Sequence, residues 1–139
     1  MLTENDIVQA VAKYLEGIGF RIESALSTQE HGIDIVAEHP VTKKRVLVEA
    51  KGGTSSKIGS KRYGKPFSLN QAKTHVSVAF YWAAKLRENF LSQPADVEIA
   101  LAFPTDDAHR RLVENIYSAL STLGITVFFV DEDRQVTRR

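Results

Sequence analysis

The chain contains no cysteine, one methionine, one tryptophan and four prolines, and no apolar run long enough to cross a bilayer. Lacking cysteine, it cannot form disulfides or thiolate metal sites, which fits a cytoplasmic protein. The opening MLTENDIV carries acidic residues where an export signal would carry basic ones, and no long apolar region follows. The expectation is therefore a cytoplasmic chain without export signal or membrane span. An excess of one charge is missing too: the formal net charge is only +1, so total charge names no partner. Acidic residues are absent from one stretch, however. From Lys51 to Lys65 there are five basic residues (Lys51, Lys57, Lys61, Arg62 and Lys65), no acid, and much Gly and Ser. A solvated loop explains that composition, and so does a loop that meets phosphate.

What is present is a globular composition: 139 residues, 43% hydrophobic and 25% charged. That is room for a single domain, residues 1–139, with a real core. Thr3 reads as a helix N-cap with Asp6 as its capping-box partner. Ile7, Val8, Val11, Leu15 and Ile18 then recur at helical spacing until Gly17 and Gly19 end the segment. Phe20 to Leu26 alternates as a strand, Ile33 to Glu38 as a second, and Arg45 to Ala50 as a third after a hairpin turn at Pro40. Ser68 and Gln71 form an S-x-x-Q capping box that opens a long helix to about Phe90. Tyr81 and Trp82, set among Ala and Val, are expected in the core. Val97 to Phe103 is a strand, Thr105 caps a helix ended by Gly124, and Ile125 to Val130 is the last strand. Asp131, Glu132 and Asp133 then make a polar turn. The order is α-β-β-β-α-β-α-β.

The strand RVLVEAKGG carries Leu47, Glu49 and Lys51 on one face, because strand side chains alternate. An ion pair accounts for Glu49 and Lys51 but leaves Asp34, in the preceding strand, unexplained. If the two strands form a hairpin, Asp34 and Glu49 lie side by side. Two close carboxylates repel, and a bridging divalent cation removes that cost. Mg²⁺ favours one or two carboxylates completed by water and phosphate oxygens. Lys51 on the same face can orient a water or stabilise charge developing on a phosphate.

Asp34, fourteen intervening residues, and then Glu49-Ala50-Lys51 resembles the PD-(D/E)xK signature of the restriction-endonuclease-like superfamily. The helix ending in GIGF, the GID heading the second strand and the element order resemble its Mrr-like and Holliday-junction-resolvase-like members. Ile33 stands where the motif's name has Pro. The resemblance covers roughly residues 3 to 103. It implies an α/β, restriction-endonuclease-like fold: an α-β-β-β-α-β core with a mixed sheet, plus a C-terminal α-β extension. It implies a DNA phosphodiesterase using Mg²⁺, with Mn²⁺ as substitute, held by Asp34, Glu49 and the Ala50 carbonyl, with Lys51 as the catalytic lysine. Relatives often add an acid on the first helix. Val8 occupies the expected place, leaving Glu4 and Glu16 as candidates, and helical geometry favours Glu4 because it extends the buried stripe. Gln71 resembles an extra polar site residue in some relatives, although its capping box is self-sufficient. His31, beside the GID, is a turn histidine within reach of the site.

The expected partners are DNA, contacted by Lys57, Lys61, Arg62 and Lys65, and a second copy of the chain or a separate recognition protein, since so small a chain has little room to read base sequence. The alternative is a catalytically inactive module of the same fold that binds nucleic acid or protein. GSKRYGK, residues 59 to 65, matches the start of a phosphate-binding P-loop, but Pro66 stands where Ser or Thr would bind Mg²⁺ and it removes an N–H donor.

Overall fold

Helix α1 (Glu4–Gly17) begins where the sequence places its cap: the Asp6 N–H donates to the Thr3 hydroxyl at 3.2 Å, and the Thr3 N–H donates to the Asp6 carboxylate at 2.8 Å. The computed structural model describes residues 1–25, 32–54, 65 and 67–139. Among the described residues α1 is followed by β1 (Arg21–Ala25), β2 (Ile35–Glu38), β3 (Arg45–Ala50), α2 (Leu69–Asn89), β4 (Val97–Pro104), α3 (Asp107–Thr122), β5 (Ile125–Val130) and β6 (Val136–Arg138). The strands lie in one sheet in sequence order. β1, β2 and β3 pair antiparallel, β3, β4 and β5 pair parallel, and β5 pairs antiparallel with β6. Parallel neighbours need a crossover, and α2 and α3 supply them.

The sheet separates two apolar layers. On one face Ile7, Val8, Val11 and Leu15 of α1 pack against Ile35, Val46, Val48, Ala100 and Phe128. On the other, Val76, Ala79 and Ala83 of α2 and Val113 and Leu120 of α3 cover Leu47, Ile99, Leu101, Phe103 and Val127. β4 lies between parallel partners under helices on both sides, so all eight of its residues are buried. The architecture is thus the expected α/β one with a mixed sheet.

Four expectations need correction. The second strand starts at Ile35, one residue after Asp34, because the Asp34 carboxylate accepts the Ala50 N–H at 2.7 Å where the ladder would have continued. The N-cap of α3 is Asp106 and not Thr105: the Asp106 carboxylate accepts from the His109 N–H at 2.7 Å. Tyr81 and Trp82 are 62% and 44% exposed. The buried stripe of α2 runs through the small residues Ala72, Val76, Ala79 and Ala83 and ends on Arg87, which turns both aromatic rings outward. Beyond the polar turn at Asp131 the chain adds β6, which the sequence reading did not anticipate. No helix among the described residues is long and apolar enough to cross a membrane.

Candidate active site

The carboxyl end of β3 is where the sequence-nominated groups meet. Ile35 pairs with Val48, so the next residues outward, Asp34 and Glu49, face each other just past the end of the ladder. The two carboxyls act on each other electrostatically: the Asp34 charge is among the causes that raise Glu49. Lys51 Nζ lies 3.6 Å from Glu49 Oε1, and both side chains are mostly buried, 20% and 14% exposed. β4 anchors this end of the strand, since the Lys51 N–H donates to the Ala102 carbonyl at 3.0 Å.

Glu4, on the first turn of α1, joins the group. Its charge acts on Glu49, and its own titration responds to Lys51 and Asp34. Gly52 is what lets α1 come so close: a Cβ there would collide with the backbone of Thr3 and Glu4. The Gly53 N–H then donates to the Leu2 carbonyl at 2.9 Å and ties the strand exit to the segment before the helix. Glu16 is exposed at the other end of α1. Between the two candidates on the helix, the fold puts Glu4 at the site.

Crowding these acids has an electrostatic cost. Burial, and then the charge of Asp34, push the Glu49 carboxyl up to about 7. Burial also raises Asp34, against the Ala50 N–H bond and Lys51, and it raises Glu4. Three carboxyls that all resist ionisation around one lysine form a donor set that gains from a divalent cation. Among the described residues no three His, Asp or Glu side chains converge on a common point. Asp34 and Glu49, with carbonyl and water oxygens completing the shell, therefore fit Mg²⁺ better than a metal that needs an all-protein cage.

Gln71 keeps its capping role, accepting the Ser68 N–H at 2.8 Å. One turn further along α2, His75 is a site neighbour that sequence reasoning passed over. Burial, and then the Lys51 charge, hold its imidazole below the usual histidine range. Its spacing of four from Gln71 was the available signal. Lys65 is exposed, whereas His31, Lys57, Lys61 and Arg62 lie outside the described residues.

With the geometry fixed, comparison with known proteins decides the family. The profile of the Mrr_cat restriction endonuclease family matches residues 1–73, from the start of the chain through β3 into α2. The chain belongs to the Mrr_cat family. The match covers Glu4, Asp34, Glu49 and Lys51 of this Mrr_cat chain. Among curated proteins, none matches it. Two solved structures share the Mrr_cat chain's fold. An XisH family protein from Nostoc punctiforme is 16% identical, with a TM-score of 0.53 over 95% of this chain and 96% of that one. An fdxN element excision controlling factor protein from Anabaena variabilis is 16% identical, with a TM-score of 0.51 over 96% of each chain. At that identity the likeness concerns fold alone, and it spans the Mrr_cat segment and the α3–β5 extension together.

Proposed function

We propose that this chain is a metal-dependent DNA phosphodiesterase, folded as one domain over residues 1–139, with its active site at the carboxyl end of β3. The observation that carries the reading is the meeting of Asp34, Glu49 and Lys51 with Glu4 in one partly buried cluster whose carboxyls all resist ionisation. A structural ion pair needs two of those groups; a fold needs none of them.

In this reading Asp34, Glu49 and the Ala50 carbonyl hold Mg²⁺, or Mn²⁺ in its place. When bound, the ion acts as a Lewis acid on a phosphate oxygen and lowers the pKa of its water. Lys51 orients the attacking water and faces the charge that develops on the phosphate. Glu4 helps to hold that water through its carboxylate, and Gln71, at the start of α2, adds a further polar group to the site. The segment from Lys57 to Lys65 holds the DNA backbone through its basic side chains. A second copy of the chain or a recognition partner supplies strand pairing or sequence choice. The protein acts in the cytoplasm.

A second reading, a nuclease-fold module that binds without cleaving, draws on Val8 at the usual place of the helix acid. One experiment separates them. Supercoiled, linear, single-stranded and four-way-junction DNA are incubated with the protein in Mg²⁺ and then in Mn²⁺, beside Lys51→Ala and Asp34→Ala. The nuclease reading expects cleavage that falls by at least ~100-fold in both variants while their folding is kept. DNA binding that is indifferent to metal, with no cleavage of any substrate, would establish the inactive module.

A further inference from the structure

We infer that the cavity beside the candidate site, at the carboxyl ends of β4 and β5, is a pocket for an unpaired nucleobase that carries an exocyclic amino group. The inference deepens the nuclease reading and rests on it for its DNA: it names the part of the substrate held next to the phosphate.

Position is the first argument. The cavity, of about 520 Å³, falls in the size range of small-ligand sites. Pro104 ends β4 and Asp131 follows β5, so it lies outside the carboxyl ends of parallel strands, where α/β sheets hold ligands. The rest of its wall adjoins the candidate site. Gly53 stands two residues past Lys51, a reach of at most about 7 Å along the chain, and Leu2 stands two before Glu4. The Gly53 N–H donates to the Leu2 carbonyl at 2.9 Å, and its carbonyl accepts from the Phe67 N–H at 3.2 Å, so these wall residues are tied together. A base that enters belongs to a nucleotide at or beside the phosphate that Lys51 faces.

The chemistry of the wall is the second. Leu2, Phe67, Pro104 and Ala108 offer apolar surface against which a flat ring can pack. Every charged side chain on the described wall is a carboxylate: Asp106, Asp131, Glu132 and Asp133. The amino group of Met1 meets one of them, Glu132, at 3.3 Å. These acids are not a metal cage, because no three His, Asp or Glu side chains among the described residues converge. Such a wall repels phosphate, and an ionised carboxylate only accepts hydrogen bonds. Of a nucleotide, that leaves a base with N–H donors. Cytosine offers its N4 amino group where thymine has a carbonyl oxygen.

Third, Asp106 is a fixed acceptor. His109 is 1% exposed, stacks on Phe103, and places its Nδ1 2.8 Å from both oxygens of that carboxylate. The His109 N–H donates to the same group at 2.7 Å. Burial opposes a charge on Asp106, yet these bonds hold its carboxyl below the usual range, so it stays ionised at neutral pH. A few fixed polar groups on an apolar wall are what orient a ligand. An unpaired base enters without first leaving a stack, so single strands should bind ahead of duplex.

Met1, the one methionine of the chain, lines the cavity, so ¹³C-methyl-methionine gives a single reporter resonance. The full chain is titrated in chelator, which prevents metal-dependent cleavage, with short single strands of deoxycytidine, of deoxythymidine, and with an abasic strand of equal length. Fluorescence anisotropy gives each affinity. The deoxycytidine strand should move the Met1 resonance and bind about 5-fold or more tightly than the deoxythymidine strand, and the abasic strand should leave Met1 unmoved. Ala108→Phe, which fills the cavity, should abolish the Met1 response and the base preference while keeping abasic-strand affinity within about twofold. If that variant does not fold, Asp106→Asn, which keeps a capping oxygen, should lose most of the preference. Strands that bind without moving Met1, equal affinity for the two bases, or a preference untouched in the folded variant overturn the inference and leave the nuclease reading standing. If no strand binds, both fall. A Met1 response with base preference in a protein that cuts no DNA removes the nuclease reading and keeps the pocket.

Discussion

Glu49 carries the largest electrostatic burden among the residues of the site, and that burden has a sign. In the folded chain its carboxyl keeps a proton up to about 7, against 4.5 ordinarily. Between those values the native state binds more protons than the unfolded one, so stability falls as pH rises and levels off above about 7. At roughly 1.4 kcal/mol per pH unit the loss is at most about 3 to 4 kcal/mol. Urea denaturation in chelator across this range should show wild type weakening and Glu49→Gln weakening less. The residual slope belongs to Asp34 and Glu4, which are displaced in the same direction. A glutamine variant as steep as wild type would contradict the assignment. Asp34, Glu49 and Lys51 could be nominated from strand alternation and one hairpin, since their meeting needs only local geometry. His75 could not, because its nearness to Lys51 is set by the tertiary fold.

At the scale of elements, the approach of α1 to the exit of β3 depends on one absent side chain. Gly52→Ala would place a methyl group against the Thr3–Glu4 backbone, which cannot yield as a flexible side chain does. Overpacking of this kind costs about 1–3 kcal/mol, occasionally more. The expected result is a lower thermal midpoint together with a Glu4 that no longer influences Glu49. An alanine variant as stable as wild type would show that the helix has room to retreat. The helices and most strands were legible because their caps and periodicities are local, as at Thr3 and Ser68. β6 was not: with Val136 as its one apolar residue it presents no run, and it exists because β5 offers an edge. Tyr81 and Trp82 misled because their hydrophobicity was weighed without the phase of the helix, which Ala72, Ala79 and Ala83 set.

For the whole molecule, a net charge of +1 means that the proposed DNA affinity would come from local cations and not from a general field. Binding should weaken steeply with salt, and Lys65→Ala should reduce the slope of log K against log salt by about one if Lys65 meets a phosphate. An unchanged slope would remove Lys65 from the interface. The opposite end of the sheet has its own charge arrangement. Glu98, buried at the start of β4, takes Lys44 at 3.2 Å and both outer nitrogens of Arg138, so it joins the hairpin turn before β3 to the last strand. The candidate site sits at one end of the sheet and this clasp at the other.

The parallel pairing of β3 with β4 has a consequence for how the protein is made. Glu4, Asp34, Glu49 and Lys51 are all translated before α2, yet Lys51 is anchored on Ala102 and β3 pairs with a strand that follows that helix. A nascent chain thus carries these four side chains while lacking the support that aligns them. The proposed site comes together only when the second half of the polypeptide arrives, a delay set by the order of the strands.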